Sequence, residues 1–134
     1  MNYCTNPAFY SNSTATASIE TRPTCWPTVT ASPTISDVWL KFKAAGTDVQ
    51  ISVEGGGTAG TIKQPNLALY SGTCGSASLA CKQAASNFTV LYSGGLIKGN
   101  FYLIRVGTTP ANRGTFKLCI SSYTPTVNPG SDCN

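Results

Sequence analysis

The chain has 134 residues, a net charge of +4 and only 10% charged residues, against roughly 25% in an average globular protein. That length suits one ordinary domain, and its basic residues are scattered, which excludes the clustered footprint that nucleic-acid binding needs. No run of about 18 apolar residues occurs, so no membrane-spanning helix is predicted.

In chain order, the first 35 residues are irregular. Ala15 to Thr21 and Thr28 to Thr30 are weak, Thr-rich strand candidates, and Pro23, Pro27 and Pro33 interrupt the segment. Trp26, beside Cys25, is read as an anchor for this region. A period of two then takes over. Val38, Leu40 and Phe42 alternate with Trp39, Lys41 and Lys43; Val49, Ile51 and Val53 alternate with Asp48, Gln50, Ser52 and Glu54. Leu67 to Tyr70 is a short apolar strand. Phe88, Val90 and Tyr92 alternate with Thr89 and Leu91, Tyr102, Ile104 and Val106 with Leu103 and Arg105, and Phe116, Leu118 and Ile120 with Lys117, Cys119 and Ser121. Gly- and Asn-rich turns separate the runs, and no helical period persists. About eight short strands predict an all-β, two-sheet antiparallel sandwich, of jelly-roll type, stapled by disulfides. The domain is expected to span 1–123, with 1–35 irregular and 36–123 patterned, and 124–134 reads as a Pro/Gly linker.

The six cysteines are Cys4, Cys25, Cys74, Cys81, Cys119 and Cys133, widely spaced in a chain without histidine. This reads as disulfides formed in an oxidising compartment rather than a zinc site, which would show paired knuckles. No segment reads as a signal peptide, so the leader of a secreted protein would lie outside this chain. Proximity favours Cys74–Cys81 around a Gly/Ser-rich loop, then Cys4–Cys25 and Cys119–Cys133; the competing pattern joins Cys4 to Cys119. Two glycosylation sequons start at Asn12 and Asn87.

No catalytic residue is identified. Without histidine there is neither the commonest general base nor a Ser-His-Asp or Cys-His arrangement. Asp48 and Glu54, on one strand, would lie roughly 20 Å apart, whereas glycosidase carboxyls sit roughly 5–9 Å apart. Asp37 is read as capping its strand, and Arg105 and Lys41 as surface charges. Ligand-binding candidates are Trp39, Tyr70 and Trp26, because aromatic faces stack on sugar rings and carry a polar handle. On the patterned strands Trp39, Tyr70, Phe101 and Leu103 take outward positions, although the irregular N-terminal part would cover Trp39 if it packs there.

Three stretches carry a family resemblance: Asp37-Val38-Trp39-Leu40-Lys41-Phe42; Leu67-Ala68-Leu69-Tyr70-Ser71-Gly72-Thr73-Cys74-Gly75 with Leu79-Ala80-Cys81; and Asn100-Phe101-Tyr102-Leu103-Ile104-Arg105-Val106-Gly107 with Gly114-Thr115-Phe116-Lys117-Leu118-Cys119. In this order they resemble the bacterial pre-peptidase C-terminal domain family, in its cysteine-bearing form from secreted and surface proteins, over residues 35–121. The resemblance implies a jelly-roll-like sandwich and a non-catalytic accessory that binds carbohydrate or matrix polymer. It equally accommodates a structural repeat of an adhesin, stalk or filament that contacts copies of itself; the opening Asn2 to Asn6 and the closing Asn128 to Asn134 are similar to unit boundaries in tandem arrays. Some relatives hold calcium. Here Lys63-Gln64-Pro65-Asn66 stands where an acidic residue is common, so no metal or other cofactor is expected.

Overall fold

The computed structural model describes residues 2–18, 21–27, 35–72 and 77–123. Within them the strands are β1 (Asn2–Cys4), β2 (Tyr10–Ser11), β3 (Ser36–Lys43), β4 (Asp48–Glu54), β5 (Asn66–Ser71), β6 (Ala80–Lys82), β7 (Phe88–Ser93), β8 (Phe101–Thr108) and β9 (Thr115–Tyr123). A single 3-10 turn at Pro110–Asn112 precedes β9. The first sheet runs β1-β9-β4-β7, with β2 continuing the β1 edge along β9, and the second runs β3-β8-β5-β6; all pairings are antiparallel. Taking β1 and β2 as one broken strand, the successive strands are distributed between the two sheets in jelly-roll order, as expected.

The alternation seen in the sequence builds the core. Val49, Ile51 and Val53 of β4 and Phe116, Leu118 and Ile120 of β9 point inward from the first sheet. Leu67 and Leu69 of β5, Tyr102, Ile104 and Val106 of β8 and Phe42 of β3 meet them from the second. Burial of these apolar side chains, most of them β-branched or aromatic, drives the sandwich together. In β7 the faces are sorted differently from the aromatic pattern: Thr89 and Leu91 point inward, while Phe88 and Tyr92 face solvent. Thr89 is accommodated because its hydroxyl donates to the Pro65 carbonyl at 2.7 Å.

The irregular N-terminal part divides in two. Residues 2–11 supply the edge of the first sheet, whereas Trp26 and Ile35 lie against the outer face of the second, packed on Ala68, Tyr70 and Leu103. Ala15 to Ser18 and Thr21 are not in a strand, contrary to expectation, and Ser18 spends its amide on the Asp37 carboxylate rather than on a sheet ladder; residues 19 and 20 and Thr28 to Thr30 lie outside the described residues. Asn12 locks the two halves. Its amide nitrogen donates to the Ser36 carbonyl and the Thr108 hydroxyl (2.8 Å), and its oxygen accepts from the Gly114 amide (2.9 Å). Asn12 is completely buried, so the first sequon is not accessible in the folded domain; Asn87 is exposed.

The disulfides differ from those expected by proximity. Cys4 bonds Cys119, directly opposite it in the β1–β9 register, with Cα atoms 4.1 Å apart. Cys25 bonds Cys81, tying the covering segment to β6. The Cys74–Cys81, Cys4–Cys25 and Cys119–Cys133 pairs expected by proximity are therefore corrected in favour of the competing Cys4–Cys119 pattern: the β1–β9 register sets that bond, and packing of Trp26 on the second sheet brings its neighbour Cys25 to Cys81. Cys74, Cys133 and the 124–134 tail lie outside the described residues. Two disulfides in an all-β domain are compatible with an extracellular protein, and among the described residues no helix is long and apolar enough to cross a membrane.

Close packing of the covering segment rests on Gly107 in β8. A Cβ there would sit 2.6 Å from Trp26 Cζ3 and 2.7 Å from Ile35 Cγ2. Gly107→Ala is expected to cost about 1–3 kcal/mol by overpacking. Urea unfolding should show a lower midpoint with an unchanged slope.

Candidate functional site

The three sequence-predicted ligand residues, Trp26, Trp39 and Tyr70, do come together, but around Arg105 rather than around an open platform. The Arg105 Cζ lies 5.1 Å from the ring centroids of both Trp26 and Trp39, and Trp39 and Tyr70 are 4.9 Å apart. Arg105 Nε donates to Asp37 Oδ2 at 2.6 Å, and its two terminal nitrogens donate to the Thr21 carbonyl, the Tyr70 hydroxyl and the Ser18 hydroxyl. Ser18 in turn donates from both its amide and its hydroxyl to the Asp37 carboxylate. Trp26 Nε1 donates to the Leu67 carbonyl at 2.8 Å.

This arrangement corrects several expectations. Arg105 is a buried charge and not a surface one, and Asp37 is its counter-ion and not a strand cap; their side chains are 3% and 1% exposed. A charge removed from water needs a partner and further hydrogen bonds, and both are supplied here. Trp26 and Tyr70 are each 2% exposed, so neither presents a ring face to a polymer, and Trp39 is half-buried against Tyr70 and Arg105. The cluster is the clamp that holds the N-terminal segment on the second sheet. Sequence reasoning missed the ion pair because Asp37 and Arg105 are far apart in the chain and meet only through the β3–β8 register.

Open aromatic surface lies instead on the outer face of the first sheet. The registers place side chains in rows across it: Ser121, Gln50 and Tyr92; Cys119, Ser52 and Val90; Lys117, Glu54 and Phe88. Phe88 is 50% and Tyr92 63% exposed, and Tyr123 stands beyond the first row opposite Asp48. Phe88 and Tyr92 are about 13 Å apart along their strand. Between them and β9 the surface is mostly uncharged and polar, and the Cys4–Cys119 bond fixes its far edge. Nothing in the sequence separated these residues from core positions, because both faces of β7 carry apolar side chains.

At the position where the resembling family often carries an acid, Asn66 spends its amide internally: the nitrogen donates to the Gly107 carbonyl and the oxygen accepts from the Ala84 amide. Among the described residues no group of three His, Cys, Asp or Glu side chains is placed to hold a metal ion. Comparison of the chain with protein-family models, curated proteins and solved structures finds no match.

Proposed function

We propose that this domain is a non-catalytic extracellular accessory module that binds a carbohydrate or matrix polymer through the outer face of its first sheet. The observation that carries the reading is the pair of solvent-facing aromatic rings, Phe88 and Tyr92, on the same face as Gln50, Ser52 and Ser121. Exposed aromatic rings offer apolar area to the CH faces of sugars, and the neighbouring amide and hydroxyls offer hydrogen bonds at low desolvation cost. Their spacing along a rigid strand suits an extended polymer better than a small molecule. The resemblance to the pre-peptidase C-terminal domain family, with its secreted accessory modules, points the same way.

The test is a pull-down of the oxidised domain with insoluble polysaccharides and with collagen. The wild type should be retained on one polymer, and Phe88→Ala/Tyr92→Ala should lose retention while keeping its unfolding midpoint, since both side chains are exposed. Equal retention of the variant would remove this face from the reading. The competing reading, a repeat that contacts copies of itself, draws support from β3: eight residues long, it is paired on one side only among the described residues, and such an edge accepts another strand. Concentration-dependent assembly without polymer retention would favour that reading.

A further inference from the structure

The two sheets do not close evenly. On one side β6 and β7 approach each other, but on the opposite side the edge formed by β1 and β2 stands away from β3. A groove of about 670 Å³ opens there, within the usual size of a small-ligand site. Its walls are core side chains seen from the edge: Leu40 and Phe42 from β3, Leu118 and Ile120 from β9, and Tyr3 and Tyr10 from the short strands.

The polarity along the groove is uneven. At one end Tyr10 sits beside Phe116, and the lining is apolar. The other end is built where three segments meet: the Gly99 amide donates to the Ala44 carbonyl, the Ala45 amide donates to the Ser122 hydroxyl, and Tyr3 pairs with Ile120. These contacts bring Lys43 and Lys98 to the same rim, with Lys41 two residues away on β3. No acidic residue lines the groove, and none of the three lysines forms an ion pair with a described residue. Lys41 is placed over the Phe101 ring at 4.6 Å, while Lys43 lies farther from it, at 5.9 Å.

We propose that this seam binds a single-chain amphipathic carboxylate, with its hydrocarbon tail between Leu40 and Leu118 and its carboxylate at Lys43 and Lys98. The fit is one of charge and polarity. An apolar trough with a cationic end matches a molecule that is apolar along its length and anionic at one terminus, and the tail gains by leaving water. A sugar polymer lacks both properties, so this site is distinct from the aromatic face of the first sheet.

The test uses decanoate and 1-decanol, both kept below the concentrations at which they aggregate, with methyl NMR shifts of the oxidised full chain as the readout. Decanoate should shift the methyls of Leu40, Leu118 and Ile120 saturably. Lys43→Glu/Lys98→Glu changes only exposed side chains and should weaken decanoate by about tenfold, the scale of one or two surface charge pairs, while leaving 1-decanol unaffected. Ala45→Phe, at the cationic end, should weaken both ligands. The proposal is overturned if these methyls do not shift, if the charge reversal leaves decanoate affinity unchanged, or if the same methyls broaden with protein concentration alone, which would show a second copy covering the seam.

Discussion

Arg105→Met is expected to lower the unfolding free energy by about 3–5 kcal/mol, among the largest losses a single substitution produces. Among the described residues the guanidinium serves the Asp37 carboxylate, the Thr21 carbonyl, and the Tyr70 and Ser18 hydroxyls at once. Without it, Asp37 keeps only Ser18 as a donor among the described residues and becomes a buried charge with no counter-ion among them. Trp26 and Trp39 also lose the cation packed between them. Urea unfolding followed by tryptophan fluorescence reads both effects, because the two tryptophans are the chain's whole complement. The double variant Arg105→Met/Asp37→Leu separates cause from damage. A buried pair replaced by apolar groups is often close to neutral, so the double variant should recover most of the stability that the single one loses. A loss below about 1 kcal/mol for Arg105→Met, the range of exposed ion pairs, would falsify the clamp.

That clamp also marks the boundary of what the sequence made legible. Strands such as β4 and β9 were readable because each has one buried and one half-buried face, so apolar residues recur every second position. In β8 both faces are covered, and the period fades into a continuous buried run that includes Arg105. β1, β2 and β6 are only two or three residues long, too short to show any period. Their pairing is decided by long-range register, and the β1–β9 register in turn decides the Cys4–Cys119 bond. Site prediction failed for a related reason. An aromatic residue at an outward position signals a ligand platform only if nothing else packs on that face. Trp39 and Tyr70 sit under the N-terminal segment, whereas Tyr92 and Phe88 do not, and local sequence carries no mark of that difference.

The second large effect concerns Cys4 and Cys119, which close a loop of sequence separation 115 between the first strand and the last. Removing that constraint with Cys4→Ser/Cys119→Ser should cost on the order of 4–5 kcal/mol by the loop-entropy account, and about 2–5 kcal/mol by what native disulfides usually contribute. Cys25–Cys81, with a separation of 56, differs little on that account, because the term grows only with the logarithm of loop length. What distinguishes the two is where the loosening appears. β1 has three residues and one neighbouring strand, so the disulfide supplies much of what holds it. Beyond it, Thr5 still binds β9: its amide donates to the Leu118 carbonyl, and its hydroxyl accepts from the Leu118 amide. Fraying should therefore stop at Thr5 and free Tyr3, a wall of the seam. Hydrogen exchange of the double variant should accelerate at Tyr3 and Ile120 while Val53 and Ile104, in the middle of the sheets, change only with global stability. If exchange instead rises uniformly across both sheets, the bond stabilises the domain only through its unfolded state and does not shape the seam.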